Sequence, residues 1–186
     1  MAASLPPGVP RATADEFLML KAIAIATRSG CIRYQVGAII ADDDNRVVSS
    51  GYNGPSGKIE SCSSRAERGL ENPCYKDLAG IAFDVKNSGE CEGIHAEENA
   101  LYLAGRDGSK GNRMYVTIFP CMECARRIGA NGIKEVIHLL DYPEKARALD
   151  ILTKQGVNVR RLELPRDRAQ LLLDRFYDQV QGRSKA

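Results

Sequence analysis

The sequence predicts an α/β sandwich, in which helices cover one mixed sheet of five strands. Three observations predict it. Two strand-like runs near the N-terminal end flank an acidic turn, which makes a hairpin. From residue 95 onward, helical and strand-like segments alternate without interruption. That alternation suits parallel strands, because a parallel pair needs a crossover long enough to hold a helix.

Taken in order, "MAASLPPGVPRATADEF" has no apolar signal-peptide core, and residues 1–12 form a flexible arm. "ADEFLMLKAIAIATRSG" (14–30) has helical periodicity and a glycine stop. "YQVGAIIADDDNRVVSSGYNG" (34–54) supplies the hairpin, turning at "DDDN". Residues 54–92 show no clear period and hold three cysteines among Gly, Ser and Pro. A stretch of that length without regular structure is unusual in a compact domain unless it is functional or tied down. There follow a helix over 95–105, a strand over 113–119, a helix over 121–130 and a strand over 134–140. The series ends with a helix over 143–155, a strand over 157–164 and a helix over 166–181. In the last helix Leu171, Leu172, Phe176 and Val180 form a packing stripe. Residues 13–186 make one domain with a cysteine-rich insert at 54–92.

Composition narrows the function. A net charge of +2 gives no case for a nucleic-acid or membrane-surface partner. No apolar run approaches the ~18 residues of a membrane span. Nothing addresses the chain outside the cytosol, so a cytoplasmic location is expected. In that compartment six cysteines are metal ligands or buried thiols more often than disulfides.

"TIFPCMECARRIGANGI" (117–133) places Cys121 and Cys124 one helical turn apart, behind Pro120 at the helix entry. A helix N-terminus favours thiolate. Alone, the pair fits half a zinc site, a redox pair or two core cysteines. "IHAEENALYLA" (94–104) adds His95, also at a helix start. One His and two Cys leave a fourth tetrahedral position open, the arrangement of a catalytic zinc. Glu97 is turned about 200° from His95 on an ideal helix. It is thus a poor ligand, but from the first turn it reaches a water beside the metal and fits a proton shuttle. Glu98 is a helix-start charge or a pocket-rim residue.

His-x-Glu followed by Pro-Cys-x-x-Cys is the signature of zinc deaminases. The chain resembles the cytidine deaminase superfamily from about Thr13 to about Val159, and within it the deoxycytidylate (dCMP) deaminase branch. The resemblance is carried by "VGAII" (36–40), "GYNG" (51–54), "HAEENAL" (95–101), "MYVTIFPCMECA" (114–125) and "NGIKEVI" (131–137). It implies a three-layer α/β/α sandwich that deaminates dCMP to dUMP with release of ammonia, feeding dTMP synthesis. His95, Cys121 and Cys124 would hold zinc, and Glu97 would carry protons. The backbone at Ala96 would read the base edge, Phe119 would line the ring pocket or serve the core, and Asn53 would bind the sugar or simply shape a turn. The resemblance also implies a hexamer, dCTP and dTTP as effectors, and magnesium with the effector. Gly51, Tyr52 and Arg106 are then effector or interface candidates, and Arg33, Lys58 and Arg65 are phosphate candidates.

Cys31, Cys62, Cys74 and Cys91 remain. Their wide spacing matches no compact finger, but a second, structural zinc would tie residues 54–92 to the scaffold. Several relatives hold such a zinc with cysteines at the positions of Cys31 and Cys62. The alternative is four unpaired buried thiols. Three other functions share the motif set: a tRNA adenosine or free-base deaminase, a nucleoside cytidine deaminase and a non-catalytic zinc-stabilised module. A tRNA enzyme would be expected to show a more basic surface, and a module would have no use for Glu97.

Overall fold

The computed structural model describes residues 10–82, 85, 90–143 and 145–183. Most of the predicted arm, residues 1–9, lies outside that set, as do the side chains of Phe176 and Val180. Helix α1 (Ala14–Ala26) starts at a capping box. The Thr13 hydroxyl accepts from the Glu16 N–H at 3.1 Å, and the Glu16 carboxylate accepts from the Thr13 N–H at 2.7 Å. Strands β1 (Gly37–Ala41) and β2 (Val47–Tyr52) form the expected hairpin. Asn45 takes the left-handed turn position with φ 63°.

Residues 54–92 depart from expectation, since two short helices occupy them: α2 (Cys62–Glu67) and α3 (Tyr75–Leu78). Six and four residues are too few for a 3.6-residue period to show, so only the cap at Ser61 marks them in the sequence. The remainder runs α4 (Ala96–Ser109), β3 (Arg113–Ile118), α5 (Met122–Ala130), β4 (Glu135–Leu140), α6 (Lys145–Lys154), β5 (Asn158–Arg161) and α7 (Arg166–Arg183). Helix α4 outruns its predicted end by passing Gly105 with a break, where φ is 64°.

The sheet order is β2-β1-β3-β4-β5. The first two pairings are antiparallel and the last two parallel, which gives the mixed sheet. Side chains alternate across it. Ala38, Ile40, Met114, Val116 and Val136 face α4, α5 and α6. Ile39, Ala41, Tyr115 and Ile137 face α1 and the start of α7. The result is three layers. The stripe expected on α7 is weaker than its sequence suggests, with Leu171 44% exposed and Leu172 half-buried.

Two glycines set how closely the helices approach. A Cβ at Gly37 would lie 2.1 Å from the Ala22 carbonyl oxygen of α1. A Cβ at Gly51 would lie 2.3 Å from the Ala96 carbonyl oxygen of α4. The Gly51 contact matters for chemistry, because it seats the first turn of α4 on the sheet.

Candidate active site

Chain direction brings two helix N-termini together at one end of the sheet. His95 is the N-cap of α4 and Cys121 the N-cap of α5, both with extended backbone. Cys124 follows one turn into α5 and is 1% exposed. His95 Nδ1 lies 3.5 Å from Cys121 Sγ and 3.3 Å from Cys124 Sγ. All three donor atoms fall within 4.8 Å of one another, the one such group among the described residues.

As protein groups alone, these three share protons. A hydrogen bond with Cys124 pulls the Cys121 thiol down to about 4; burial opposes this, and His95 assists it. Its bond with Cys121 drives Cys124 the other way, with burial adding to the rise. His95 is raised, first by its bond to Cys121. At neutral pH Cys121 is therefore a thiolate paired with the His95 imidazolium, and Cys124 keeps its proton, under two helix N-termini. Two soft sulfurs and an imidazole are a zinc donor set, and a bound cation would displace the shared protons.

Glu97 is 4% exposed beside the trio. Burial pushes its carboxyl up to about 7, against the pull of His95. A carboxyl poised near neutral pH both takes and gives protons.

A cavity of about 490 Å³ opens in front, with His95, Glu97 and Cys121 in its wall. That volume is within the range of small-molecule sites. Ala96, Asn53 and Phe119 also line it. Phe119 is 1% exposed and meets His138 edge-on with ring centres 4.9 Å apart, so it is core and cavity wall at once. The Asn53 Oδ1 accepts from the Val36 N–H at 2.8 Å and the Ser29 hydroxyl at 2.7 Å. Its Nδ2 donates to the Tyr34 carbonyl at 2.8 Å. The side chain thus shapes its loop and keeps one N–H for a ligand.

Of the phosphate candidates, Arg33 lines the cavity and pairs with Asp77. Arg65 is turned inward, donating to the Pro73 carbonyl at 3.0 Å. Lys58 is exposed outside the cavity wall. Gly51 is buried under α4, Tyr52 is 40% exposed, and Arg106 is exposed beyond the Gly105 break; none lines the cavity.

Cys31, Cys62, Cys74 and Cys91 share another stretch of the same wall, more loosely than the trio. Backbone N–H groups point at their sulfurs. Arg33 and Tyr34 donate to Cys31 at 3.4 and 3.5 Å, and Gly93 donates to Cys91 at 3.4 Å. Burial raises the Cys62 thiol, against a hydrogen bond from the Tyr75 backbone, and its nearness to the other three cysteines adds to the rise.

Sequence reasoning missed Arg127, which meets Glu98 across the two helices at 3.1 Å. No local spacing signals a bond between residues on different helices. Glu98 itself caps α4 as a helix-start charge and lines the cavity.

A mixed sheet that delivers two helix N-termini to a His/Cys/Cys cluster, with a buried carboxyl alongside, defines the class of zinc-dependent deaminases. Residues 12–140 match the cytidine and deoxycytidylate deaminase zinc-binding region. The chain belongs to that family. It is 32% identical to the deoxycytidylate deaminase of Enterobacteria phage T4 over 163 residues, covering 74% of this chain and 84% of that one. It is 37% identical to the deoxycytidylate deaminase of Mycobacterium phage D29 over 136 residues, covering 71% and 95%. The structure of dCMP deaminase from the cyanophage S-TIM5 in complex with dCMP and dUMP superposes with a TM-score of 0.60 at 25% identity. That superposition covers 79% of this chain and 95% of the other.

Proposed function

We propose that this protein hydrolyses dCMP to dUMP and ammonia, with Glu97 as its proton carrier. The observation that carries this reading is the buried Glu97 carboxyl beside His95, Cys121 and Cys124, with Glu97, His95 and Cys121 in the wall of a cavity of nucleotide size. Relatives 32% and 37% identical to this chain are deoxycytidylate deaminases. His95, Cys121 and Cys124 would hold zinc, which when bound would supply Lewis acidity and make a water nucleophilic near neutral pH. Glu97 takes a proton from that water and delivers it to the pyrimidine ring, then passes a second to the departing nitrogen. The C4–N bond breaks, the water oxygen stays on C4, and ammonia leaves. The Ala96 N–H, at the open first turn of α4, reads the base edge. Phe119 walls the ring, and the remaining Asn53 N–H serves a sugar hydroxyl. Arg33, which shares the cavity wall with Lys76 and Arg127, meets the phosphate.

The wider reading includes a second, structural zinc on Cys31, Cys62, Cys74 and Cys91, supported by their shared wall and the N–H groups aimed at sulfur. It also includes assembly of copies into a hexamer. Tyr102 at 66% and Leu103 at 75% exposed, with Val48 at 40% on edge strand β2, support packing against another copy. Regulation by dCTP and dTTP with magnesium belongs to the same reading. So does action in the cytoplasm, and no helix among the described residues is long and apolar enough to cross a membrane.

Ammonia release from dCMP, deoxycytidine, dCTP and tRNA, measured side by side, tests the proposal. A kcat/KM for dCMP far above the other three is expected, because a desolvated phosphate contact is charge-assisted. Equal values for dCMP and deoxycytidine overturn it in favour of a nucleoside enzyme.

A further inference from the structure

We propose that Glu98 is a positioning residue for the metal site, setting the angle of His95 and the distance between the two ligand-bearing helices. The proposal rests on the His/Cys/Cys assignment above. A metal-binding histidine ordinarily donates its second ring N–H to a carboxylate, a carbonyl or water, which fixes the ring. Here His95 Nδ1 faces the two sulfurs, and Nε2 has no hydrogen-bond partner among the described residues. Apart from the two sulfurs, the ring takes its direction from its own backbone.

That backbone is held by Glu98. One carboxylate oxygen, Oε2, accepts from the His95 N–H at 3.1 Å. The bond fixes the peptide plane that enters α4, and with it the direction of the His95 Cα–Cβ bond. The other oxygen, Oε1, lies 3.1 Å from Arg127 Nε on α5. Arg127 is three residues past Cys124, on the same helix face. One carboxylate thus ties the backbone of the first ligand to the helix that carries the other two. The Glu98 side chain is only 15% exposed, so water does not readily take its place. Arg127 is steadied in turn by Glu123 at 3.6 Å, one turn earlier on α5.

Losing a residue that orients a metal ligand typically costs 10- to 100-fold in metal affinity or activity. Glu98→Ala removes both bonds and is expected to weaken zinc at this site by about that factor, read as competition with a chelator. Release from a Cys121→Ser variant identifies which phase belongs to this site. Glu98→Gln keeps an acceptor for the His95 N–H and should recover part of the affinity. Arg127→Ala breaks only the bridge and should have the smaller effect. Combined with Glu98→Ala, Arg127→Ala should add little, because the two act as one unit. With dCMP, kcat is expected to fall while KM changes little.

Wild-type zinc affinity and kcat in Glu98→Ala would overturn the proposal. So would a variant that melts earlier yet binds zinc as tightly as before, since that describes an ordinary helix cap. The chelator measurement needs no substrate. A protein that fails to deaminate dCMP but loses zinc on Glu98→Ala refutes the reaction and keeps the positioning role.

Discussion

Burial leaves the Glu97 carboxyl with a pKa of about 7, against an ordinary value near 4.5. Between those two values the folded chain holds a proton that the unfolded chain releases. Folding therefore becomes less favourable as pH rises from about 5 to about 7. Gln, which cannot ionise, escapes that loss. In metal-stripped protein, Glu97→Gln should melt above wild type at pH 7.5 and close to it at pH 5, by calorimetry at both values. Turnover should move the opposite way, with kcat falling at least ~10²–10⁴-fold. A Gln variant that keeps most of its activity removes Glu97 as the proton carrier. His95, Cys121 and Cys124 were legible in the sequence because their chemistry is written in short spacings. Which of the three phosphate candidates reaches the cavity was not. Arg33, Lys58 and Arg65 look alike in sequence, and only the path of the chain turns Arg65 toward the Pro73 carbonyl and Arg33 toward the cavity.

Helices and strands of ordinary length were readable from their periods, while α2 and α3 were too short to show one. Less readable still was how closely each helix sits on the sheet. Gly37 and Gly51 look like the same weak point in two strands, yet each is a seat for a different helix. Adding a methyl group at either must force backbone apart, because a Cβ would lie 2.1 or 2.3 Å from a carbonyl oxygen. Each Gly→Ala change should cost about 1–3 kcal/mol, as overpacking does. Their effects on activity should separate. Gly37→Ala pushes on α1, on the face of the sheet opposite α4. Gly51→Ala pushes on Ala96 and Ala100, in the turns that follow His95 and carry Glu97. Denaturant melts should show similar losses for both, and kcat of the folded protein should drop for Gly51→Ala alone. Equal kcat in the two variants would mean that the seat of α4 does not set the site.

At the scale of the molecule, the two cysteine sets are linked by backbone. Cys91 is four residues before His95, and between them Ile94 exchanges hydrogen bonds with Gly54 at 2.9 and 3.1 Å. Gly54 follows Asn53, whose carbonyl and side chain bind Gly30 and Ser29 just before Cys31. A second metal at Cys31, Cys62, Cys74 and Cys91 would therefore brace the segment that delivers His95, while doing no chemistry itself. The purified protein should carry about two zinc ions per chain, one open to water and one closed by four thiolates. Cys74→Ser should lose about one of them, expose residues 54–92 to protease, and lower kcat only indirectly through the slackened approach to His95. Cys121→Ser should lose the other, abolish turnover and leave the protease pattern near that of wild type. Metal analysis and limited proteolysis of wild type and both variants test this together. One zinc per wild-type chain, with four thiols titrating freely in the native state, would leave the N–H groups aimed at Cys31 and Cys91 as supports for bare thiols and remove the second site.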